Sequence, residues 1–339
     1  IDNIKTKDLE YPIMVGVDFW KRPYITIKFN ETKYQKYRAI TIFQRYTNNK
    51  KNWTFGGICG PPPKAIELKD MVKQNIVYTP LQNKTLALVF DKSSTRTRVS
   101  FEVGMTHFGG NTLFLSPRDT QLGRGEPIED TAKVISSMVD CVVIRTHKHE
   151  DILKFASVSN VPVINGLTEL VHPCQLLADM MTYKEIKGEI KGKKVAWIGD
   201  ANNMCNSYIN ASKQFDFELA IATPENFIPS LYENDIENIS MTNDPNVAAE
   251  NADLIVTDVW ASMGDEDKEE ERKKIFKSLQ VNSKVMSLAK KDVIFMHCLP
   301  AHRGEEVTEE VLNSSASVIW QEAENRLHAQ KALLEYLLV

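Results

Sequence analysis

A cluster of hydroxyl and guanidinium side chains at residues 94–98 is the first feature of the sequence that could do chemistry. Ser94, Thr95, Arg96 and Thr97 follow the apolar segment 86–90 and begin a segment with helical character. A helix N-terminus presents unpaired N–H groups and partial positive charge, and an arginine can bind two phosphate oxygens. The alternative is an ordinary Ser/Thr helix cap with a solvent-facing arginine. The complete Ser-Thr-Arg-Thr-Arg string at a strand–helix junction favours a phosphate site.

A second candidate is the string His172-Pro173-Cys174-Gln175, which precedes the helical segment 176–186. Proline at the first helical position fixes the start of the helix, and His172 and Gln175 lie three residues apart on one helical face. Such a pair can hydrogen-bond to a carbonyl oxygen and an amide of one small ligand. A His-Pro pair alone is more often a capping feature, and this one gains weight from the motifs around it.

Cys298 ends the apolar segment 293–296 in the string His-Cys-Leu-Pro. A thiol at the end of a strand can be a nucleophile, a weak polar contact or a small buried hydrophobe, and the last is the usual case. His302 and Arg303 lie nearby in the sequence, so the thiol could be partly ionised.

Asp258 follows the apolar segment 254–257 and precedes Ser262, Met263 and Gly264. A carboxylate with a hydroxyl and free backbone amides behind it suits the ammonium and carboxylate groups of an amino acid. The alternative is an Asp-capped loop. Residues 197–203 predict a tight turn between a strand and a helix, but they lack the GxGxxG pattern, which makes a dinucleotide site a poor interpretation.

These polar residues follow short apolar segments that we interpret as strands: 86–90, 141–144, 161–164, 195–198, 219–222, 254–257 and 293–296. Strands that are apolar on both faces and separated by helices predict parallel sheets in an α/β protein. Two sets of strands predict two α/β domains with a cleft between them. Ligands of open parallel sheets bind beyond the carboxyl ends of the strands, where the polar clusters fall.

The first 63 residues differ from the rest of the chain in their pattern of residue types, which predicts a β-rich N-terminal segment. Residues 24–29 alternate with period two, and residues 39–46 are rich in β-branched and aromatic side chains, so both are predicted strands. Glycines at 56–57 and the string 60–63, Gly-Pro-Pro-Pro, predict a turn and a stiff linker.

Composition excludes several classes of partner. The 339 residues are 42% hydrophobic and 25% charged with a net charge of −4, so nothing points to nucleic acid or an anionic membrane surface. No run of 18 apolar residues predicts a membrane helix, and no secretory signal is expected. The five cysteines are widely spaced without a CxxC pair, which argues against a disulfide framework or structural zinc site and fits a reducing cytoplasm.

Together these motifs resemble the ornithine carbamoyltransferase family, within the aspartate/ornithine carbamoyltransferases, from about residue 65 to the C-terminus. The string 94–98 looks like the family's carbamoyl-phosphate signature, and 172–175 matches its HPxQ motif. Asp258 with 262–264 resembles its ornithine loop and differs from the loops of putrescine and aspartate relatives. The string 297–300 matches its HCLP motif, and 322–326 matches the start of its last helix.

The resemblance implies two doubly wound parallel-sheet domains with a cleft between them. We expect residues 64–166, joined by 322–339, to bind carbamoyl phosphate and residues 167–321 to bind ornithine. It also implies a homotrimer or an assembly of trimers with active sites at subunit boundaries, and no metal or organic cofactor. Residues 1–63 depart from the family, whose usual start is helical.

The resemblance further implies a direct transfer of the carbamoyl group from carbamoyl phosphate to the δ-amine of L-ornithine. The implied carbamoyl-phosphate ligands are Ser94, Thr95, Arg96, Thr97, Gln121, Arg145, His172, Gln175, Cys298, Leu299 and Arg326. The implied ornithine ligands are Asn203, Asp258, Ser262 and Met263, and the catalytic residues are Arg96, Arg145, His172 and Cys298. Another amine acceptor such as putrescine, or a non-catalytic relative, remains open, as does a role in arginine synthesis or breakdown.

Overall fold

The computed structural model describes residues 63–116, 125–232, 237–261 and 269–339 in full. It also describes the backbone of 61–62 and of three short strands before residue 41. The strands in chain order are β1 (Ile13–Val17), β2 (Pro23–Ile27), β3 (Ala39–Ile40), β4 (Thr85–Phe90), β5 (Asn111–Leu115), β6 (Cys141–Arg145), β7 (Val163–Leu167), β8 (Lys194–Ile198), β9 (Glu218–Ala222), β10 (Ile239–Thr242), β11 (Leu254–Thr257) and β12 (Ile294–His297).

Helices alternate with these strands along most of the chain. They are α1 (Pro61–Lys73), α2 (Thr95–His107), α3 (Ile128–Ser136), α4 (His149–Val158), α5 (Pro173–Lys187), α6 (Asn203–Phe215), α7 (Pro245–Ala249), α8 (Glu269–Phe276), α9 (Ser283–Leu288), α10 (Glu309–Leu312) and α11 (Ile319–Leu338), with a 3-10 turn at Lys277–Leu279. Within the described residues, no helix has the length and apolar character needed to cross a membrane.

Two five-stranded parallel sheets form the framework of the protein. The first has the order β3-β7-β6-β4-β5, and the second has the order β10-β9-β8-β11-β12. The central strands are apolar on both faces because helices cover both sides. The prediction of a doubly wound α/β protein is therefore confirmed.

The strand orders decide where a ligand can bind. In the first sheet the chain runs from β4 to its neighbour β5 and then returns to the other side of β4 with β6. In the second sheet the same reversal separates β8 and β11. A crevice opens beyond the carboxyl ends of the strands at such a reversal, because the flanking connections leave in opposite directions.

The last helix ties the two halves of the chain together. Helix α11 packs against α1, α2 and α5, so residues from the C-terminus lie beside the helices that begin near residues 95 and 173. Its inner face is buried and includes the polar residues Glu322, Asn325 and Arg326. Buried polar groups require partners, and these residues find theirs on the neighbouring helices.

Several local predictions need correction or extension. The Gly-Pro-Pro-Pro string does not form a linker up to residue 63, because α1 begins at Pro61. Proline fits a first helical turn, where its missing N–H would have no intrahelical partner. Strands β5 and β10 were not predicted, and both are sheet edges with partly exposed residues. The predicted N-terminal strands are confirmed at 24–27 and 39–40, whereas 28–29, 41–46 and 56–57 lie outside the described residues.

Candidate active site

The predicted polar clusters meet at the carboxyl ends of the two sheets. Asp91, directly after β4, donates its backbone N–H to the carbonyl of Arg145 at the end of β6 (2.9 Å). From the second sheet, Leu299 lies beyond β12 and its carbonyl oxygen accepts a hydrogen bond from the Arg96 guanidinium. This contact joins the two halves of the cleft, so both sheets contribute to one site.

Helix α2 presents its N-terminus to this cleft. Ser94 is the N-cap residue, and its hydroxyl accepts a hydrogen bond from the backbone N–H of Thr97 (3.4 Å). Thr95 is exposed at the first helical position, and Arg96 is half-buried beside it. The remaining N–H groups of the first turn and the helix dipole favour an anion here.

Three guanidinium groups converge near this helix end. Arg145 is buried, and its side chain makes no hydrogen bond with any described residue, which leaves its buried Nε without a partner. No described carboxylate lies within 4.0 Å of the guanidinium nitrogens of Arg96, Arg145 or Arg326. Burial and, after it, the nearby Arg326 and Arg96 cations together lower the pKa of Arg145 to about 10. Such a cluster suits the binding of an anion with more than one negative charge.

His172 lies beside these arginines at the start of α5. Its backbone N–H donates to the hydroxyl of Ser207 (2.7 Å), while its buried ring Nδ1 has no partner among the described residues. Burial, followed by the charges of Arg326, Arg145 and Arg96, holds the pKa of His172 well below 6.5. The imidazole is therefore neutral at pH 7 and can donate one N–H to a carbonyl oxygen.

Gln175 is buried one turn along the same helix, and its amide connects several elements. Its Nε2 donates to Asp179 Oδ1 (2.9 Å) and Glu322 Oε1 (2.8 Å), and its Oε1 accepts from Arg326 Nη1 (2.6 Å). Arg326 also donates to the Thr97 hydroxyl (2.9 Å). The predicted residues Thr97, Gln175 and Arg326 thus form one network, to which Asp179 adds an acceptor that the motifs did not reveal.

The opposite wall of the cleft is acidic. Asp258 accepts hydrogen bonds at Oδ1 from the Cys298 thiol (3.1 Å) and the Val259 N–H (2.8 Å), and at Oδ2 from the Asn202 amide (2.8 Å). Asn202 also caps α6 by accepting from two N–H groups of its first turn. The amide of Asn203, the predicted ornithine ligand next to it, donates to the Thr168 carbonyl (2.7 Å), and its predicted role stays a prediction.

The turn that carries these asparagines depends on a glycine. Gly199 has a φ of +142°, and a Cβ added there would lie 3.1 Å from the Thr257 hydroxyl oxygen. A side chain at this position would be strained and crowded, so glycine lets β8 and β11 approach closely at their carboxyl ends. This approach brings Asn202 within reach of Asp258.

The suggestion that the Cys298 thiol is partly ionised is wrong. Burial raises the pKa of the thiol well above 9, and the neighbouring carboxylates of Asp258, Glu322 and Asp179 raise it further. The thiol is therefore protonated at pH 7 and acts as a donor to Asp258. A neutral thiol is a poor nucleophile, which favours an orienting role for this residue.

The backbone after β12 is held by a buried histidine to which the sequence analysis assigned no role. His297 Nε2 contacts Glu306 Oε1 (3.0 Å), and its Nδ1 accepts the N–H of Leu299 (2.9 Å). Since Nδ1 accepts, Nε2 carries the proton and donates to Glu306. These bonds hold Leu299 at a φ of +57°, an uncommon value for a residue with a side chain, and direct its carbonyl toward Arg96.

Among the residues that the structure describes, two clusters have metal-ligating atoms within 4.8 Å of one another: Asp258, His297 and Cys298, and His302, Glu305 and Glu306. In the first cluster, the thiol already donates to the carboxylate and both ring nitrogens already have hydrogen-bond partners. Hydrogen bonding accounts for this first cluster without an ion. Gln121, Ser262 and Met263 lie outside the described residues, so their predicted roles stay predictions.

Comparison with known proteins gives a consistent result. The family model of the aspartate/ornithine carbamoyltransferase carbamoyl-P binding domain matches residues 63–185, and that of the Asp/Orn binding domain matches residues 191–337. A relative named ornithine carbamoyltransferase from Hydrogenovibrio crunogenus is 62% identical over 277 residues, which cover 81% of this chain and 92% of that protein.

Solved structures agree with this comparison. The ornithine carbamoyltransferase of Burkholderia thailandensis is 50% identical with a TM-score of 0.76, over 82% of this chain and 92% of that one. The ornithine carbamoyltransferase of Pyrococcus furiosus is 48% identical with a TM-score of 0.78, over 81% and 91% of the two chains.

Proposed function

The chain belongs to the aspartate/ornithine carbamoyltransferase family, and on that premise we propose that its cleft transfers the carbamoyl group of carbamoyl phosphate to L-ornithine. The products are L-citrulline and phosphate. The enzyme is a carbamoyltransferase, as its relatives named ornithine carbamoyltransferase are. Their identity extends through both halves of the cleft, which supports ornithine as the acceptor over putrescine.

One observation carries this proposal. Arg96, Arg145 and Arg326 converge on the N-terminus of α2 with no described carboxylate within 4.0 Å of their guanidinium nitrogens, while Asp258 lies on the opposite wall. The cationic wall suits the phosphate and carbonyl oxygens of carbamoyl phosphate. The acidic wall suits the ammonium group of an amino acid. The two substrates are thereby drawn to opposite sides of one cleft.

In the proposed mechanism, Arg96 holds the phosphate with the hydroxyls of Ser94, Thr95 and Thr97 and the first-turn N–H groups of α2. Arg145 and the neutral imidazole of His172 donate hydrogen bonds to the carbamoyl oxygen. These donors are fixed before the substrate arrives, so they stabilise the developing oxyanion without having to reorganise. Arg326 adds positive charge behind them.

The deprotonated δ-amine of ornithine attacks the carbamoyl carbon and forms a tetrahedral intermediate. The C–O bond to phosphate then breaks, and the departing phosphate takes up the proton that the amine nitrogen loses. Asp258, Asn203, Ser262 and Met263 would hold the α-amino and carboxylate groups. Cys298 and Leu299 would lie beside the reacting amine, and holding both substrates in line supplies much of the rate.

The domain boundaries and the assembly are part of the proposal. Residues 64–166 with 322–339 would bind carbamoyl phosphate, and residues 167–321 would bind ornithine. Residues 1–63 would be an addition to the two domains, although β3 pairs with β7 in the first sheet and α1 begins at Pro61. The chain would form a homotrimer or an assembly of trimers, with Gln121 reaching a neighbouring subunit's site. A reducing cytoplasm is supported by the four described cysteines, which are free thiols.

An acceptor panel tests this function. Purified protein is incubated with carbamoyl phosphate and either ornithine, putrescine or aspartate, and the carbamoylated amine and released phosphate are both measured. We expect rapid citrulline formation and far slower reactions with the other two amines. Preference for putrescine would move the protein to another branch of the family, and no product from any amine would indicate a non-catalytic relative.

A further inference from the structure

The carboxyl groups of Asp179 and Glu322 lie beneath the cationic wall and have no place in the mechanism above. Both residues are 1% exposed, as is Gln175 between them. Each directs one oxygen to Gln175 Nε2, at 2.9 Å from Asp179 and 2.8 Å from Glu322. An amide nitrogen has two hydrogens, so these contacts occupy its whole donor capacity.

The two carboxyl groups thereby determine which way the Gln175 amide faces. Its Oε1 accepts from Arg326 Nη1 at 2.6 Å, on the side toward the site. The opposite orientation would direct the NH₂ group at the Arg326 guanidinium and the carbonyl oxygen at two carboxyl groups. Each contact would then join two donors or two acceptors, which is costly for groups removed from water.

We propose that Asp179 and Glu322 are positioning residues that hold Gln175 with its carbonyl oxygen toward the carbamoyl site, so that the site selects a carbamoyl group over an acetyl group. The inference rests on the proposed function, because it takes carbamoyl phosphate as the ligand. An NH₂ group and a methyl group have nearly the same size, so shape alone discriminates weakly between them. An acceptor placed against the NH₂ group discriminates strongly, since a methyl group cannot donate to it.

The second oxygens of the two carboxyl groups are also occupied, and their partners differ in a useful way. Asp179 Oδ2 accepts from the Tyr208 hydroxyl at 2.8 Å, and Glu322 Oε2 accepts from the backbone N–H of His297 at 2.9 Å. A hydroxyl can turn and accept, whereas a backbone N–H can only donate. In Asp179→Asn, the new NH₂ group can therefore donate to the Tyr208 hydroxyl. In Glu322→Gln, it must face a donor, either the Gln175 amide or the His297 N–H.

The protonation of the pair agrees with this role. Burial raises the pKa of Glu322 well above its usual range and that of Asp179 to about 6, and the two carboxyl groups are hydrogen-bonded to each other. The raised pKa of Glu322 favours its protonated form, whose O–H can donate to Asp179 while the same oxygen accepts from Gln175. The NH₂ group of a glutamine could not accept that bond.

Binding measurements on four variants test the proposal. The variants are Glu322→Gln, Asp179→Ala, Asp179→Asn and the control Tyr208→Phe, which removes the hydroxyl but leaves the Asp179 acceptor for Gln175. Calorimetry gives the Kd of each protein for carbamoyl phosphate, acetyl phosphate and inorganic phosphate. Inorganic phosphate reports on the phosphate contacts alone, and thermal unfolding checks that each variant is folded.

We expect Glu322→Gln and Asp179→Ala to lose about 10- to 100-fold in carbamoyl-phosphate affinity, the effect of leaving a buried group unpaired. Their affinity for inorganic phosphate should stay within about 3-fold of wild type, so the preference over acetyl phosphate collapses. Asp179→Asn and Tyr208→Phe should keep most of the preference. If Glu322→Gln fails to fold, the comparison of Asp179→Ala with Asp179→Asn decides alone.

The inference is overturned if Asp179→Ala keeps the preference for carbamoyl phosphate, or if it loses phosphate affinity to the same extent, which would mean a general structural role. A wild-type protein without such a preference overturns it as well. Because no acceptor amine is present, the result is independent of the citrulline assay. A wild-type protein that shows the preference but forms no citrulline would refute the proposed acceptor and leave this inference intact.

Discussion

Replacing Arg145 with methionine removes a buried charge that has no hydrogen-bond or carboxylate partner among the described residues. The pKa of Arg145 is about 10, against about 12.5 for an exposed guanidinium. At about 1.4 kcal/mol per pH unit, the buried charge costs the folded protein on the order of 3 kcal/mol. Methionine fills a similar volume without charge, so we expect Arg145→Met to stabilise the empty protein by about 1–3 kcal/mol.

The sign follows from proton binding in the two states. Arg145 is protonated at pH 7 in both the folded and the unfolded chain, so the cost is constant around neutral pH. It declines only as the pH rises through about 10, where the folded protein releases the proton first. The stabilisation by Arg145→Met should therefore be undiminished between pH 6 and pH 8.

Thermal unfolding in a phosphate-free buffer measures this effect. The Tm of Arg145→Met should rise by about 2–4 °C without ligand. Added carbamoyl phosphate should raise the Tm of the wild type and leave that of the variant nearly unchanged, because only the wild type binds it tightly. Arg303→Met is the matched control, since Arg303 is exposed and its side chain has no hydrogen-bond partner among the described residues.

Three results would refute the reasoning. A variant that is less stable than wild type without ligand would mean that Arg145 supports the fold and is not held at a cost for binding. A variant with an undiminished ligand-induced rise in Tm would remove Arg145 from the carbamoyl-phosphate site. An equal rise in Tm for Arg303→Met would show that the gain does not depend on the burial of Arg145.

Five further substitutions, at four positions, address the other site residues. Arg96→Ala should abolish measurable carbamoyl-phosphate binding in calorimetry, because a helix end supplies only about 0.3–2 kcal/mol for an anion; unchanged affinity would contradict the phosphate assignment. Asp258→Asn should raise the KM for ornithine at least about 10-fold and leave the Kd for carbamoyl phosphate unchanged, because it places an amide against three hydrogen-bond donors. Equal increases in the KM and the Kd would mean that Asp258 has a structural role. Cys298→Ala should raise the KM for ornithine by about 2- to 12-fold, and Cys298→Ser should raise it by less. A 43 Da adduct, roughly a carbamoyl group, on the wild-type protein after incubation with carbamoyl phosphate alone would instead indicate a covalent mechanism. Denaturant titrations at pH 7 and pH 5 give the free energy of unfolding, which should fall less for His172→Gln than for the wild type. The pKa of His172 is depressed in the folded protein, so the unfolded chain takes up the proton first as the pH falls. An equal fall in both proteins would mean that His172 titrates normally.

Much of the fold follows from local patterns in the sequence. The segment 254–257 is apolar on both faces, and such a strand is stable only inside a parallel sheet between layers of helices. Edge strands such as β10 cannot be predicted in this way, because one side of the strand faces solvent and its sequence is less apolar. The positions of Arg145 and Asp258 also follow, since residues at the carboxyl ends of parallel strands must lie at one edge of a sheet.

What the sequence could not provide is the set of partners around each polar atom. Asn202 and Asn203 are adjacent and chemically identical, and only the geometry of the turn after Gly199 decides that Asn202 bonds Asp258. The ionisation of Cys298 depends on burial and on carboxyl groups far away in the chain, so the nearby His302 misled the prediction.

The sequence by itself determined which residues are candidates for the site and the strand ends on which they lie, because parallel strands and helix N-termini leave local patterns in residue type and spacing. Only the tertiary structure decided which hydrogen-bond partners the polar and charged side chains have. Gln175 is oriented by Glu322, 147 residues away, and Arg96 meets the Leu299 carbonyl across 203 residues. Hydrogen bonds and desolvation act over a few ångströms in space, and spatial neighbours at such separations in sequence are a property of the folded chain.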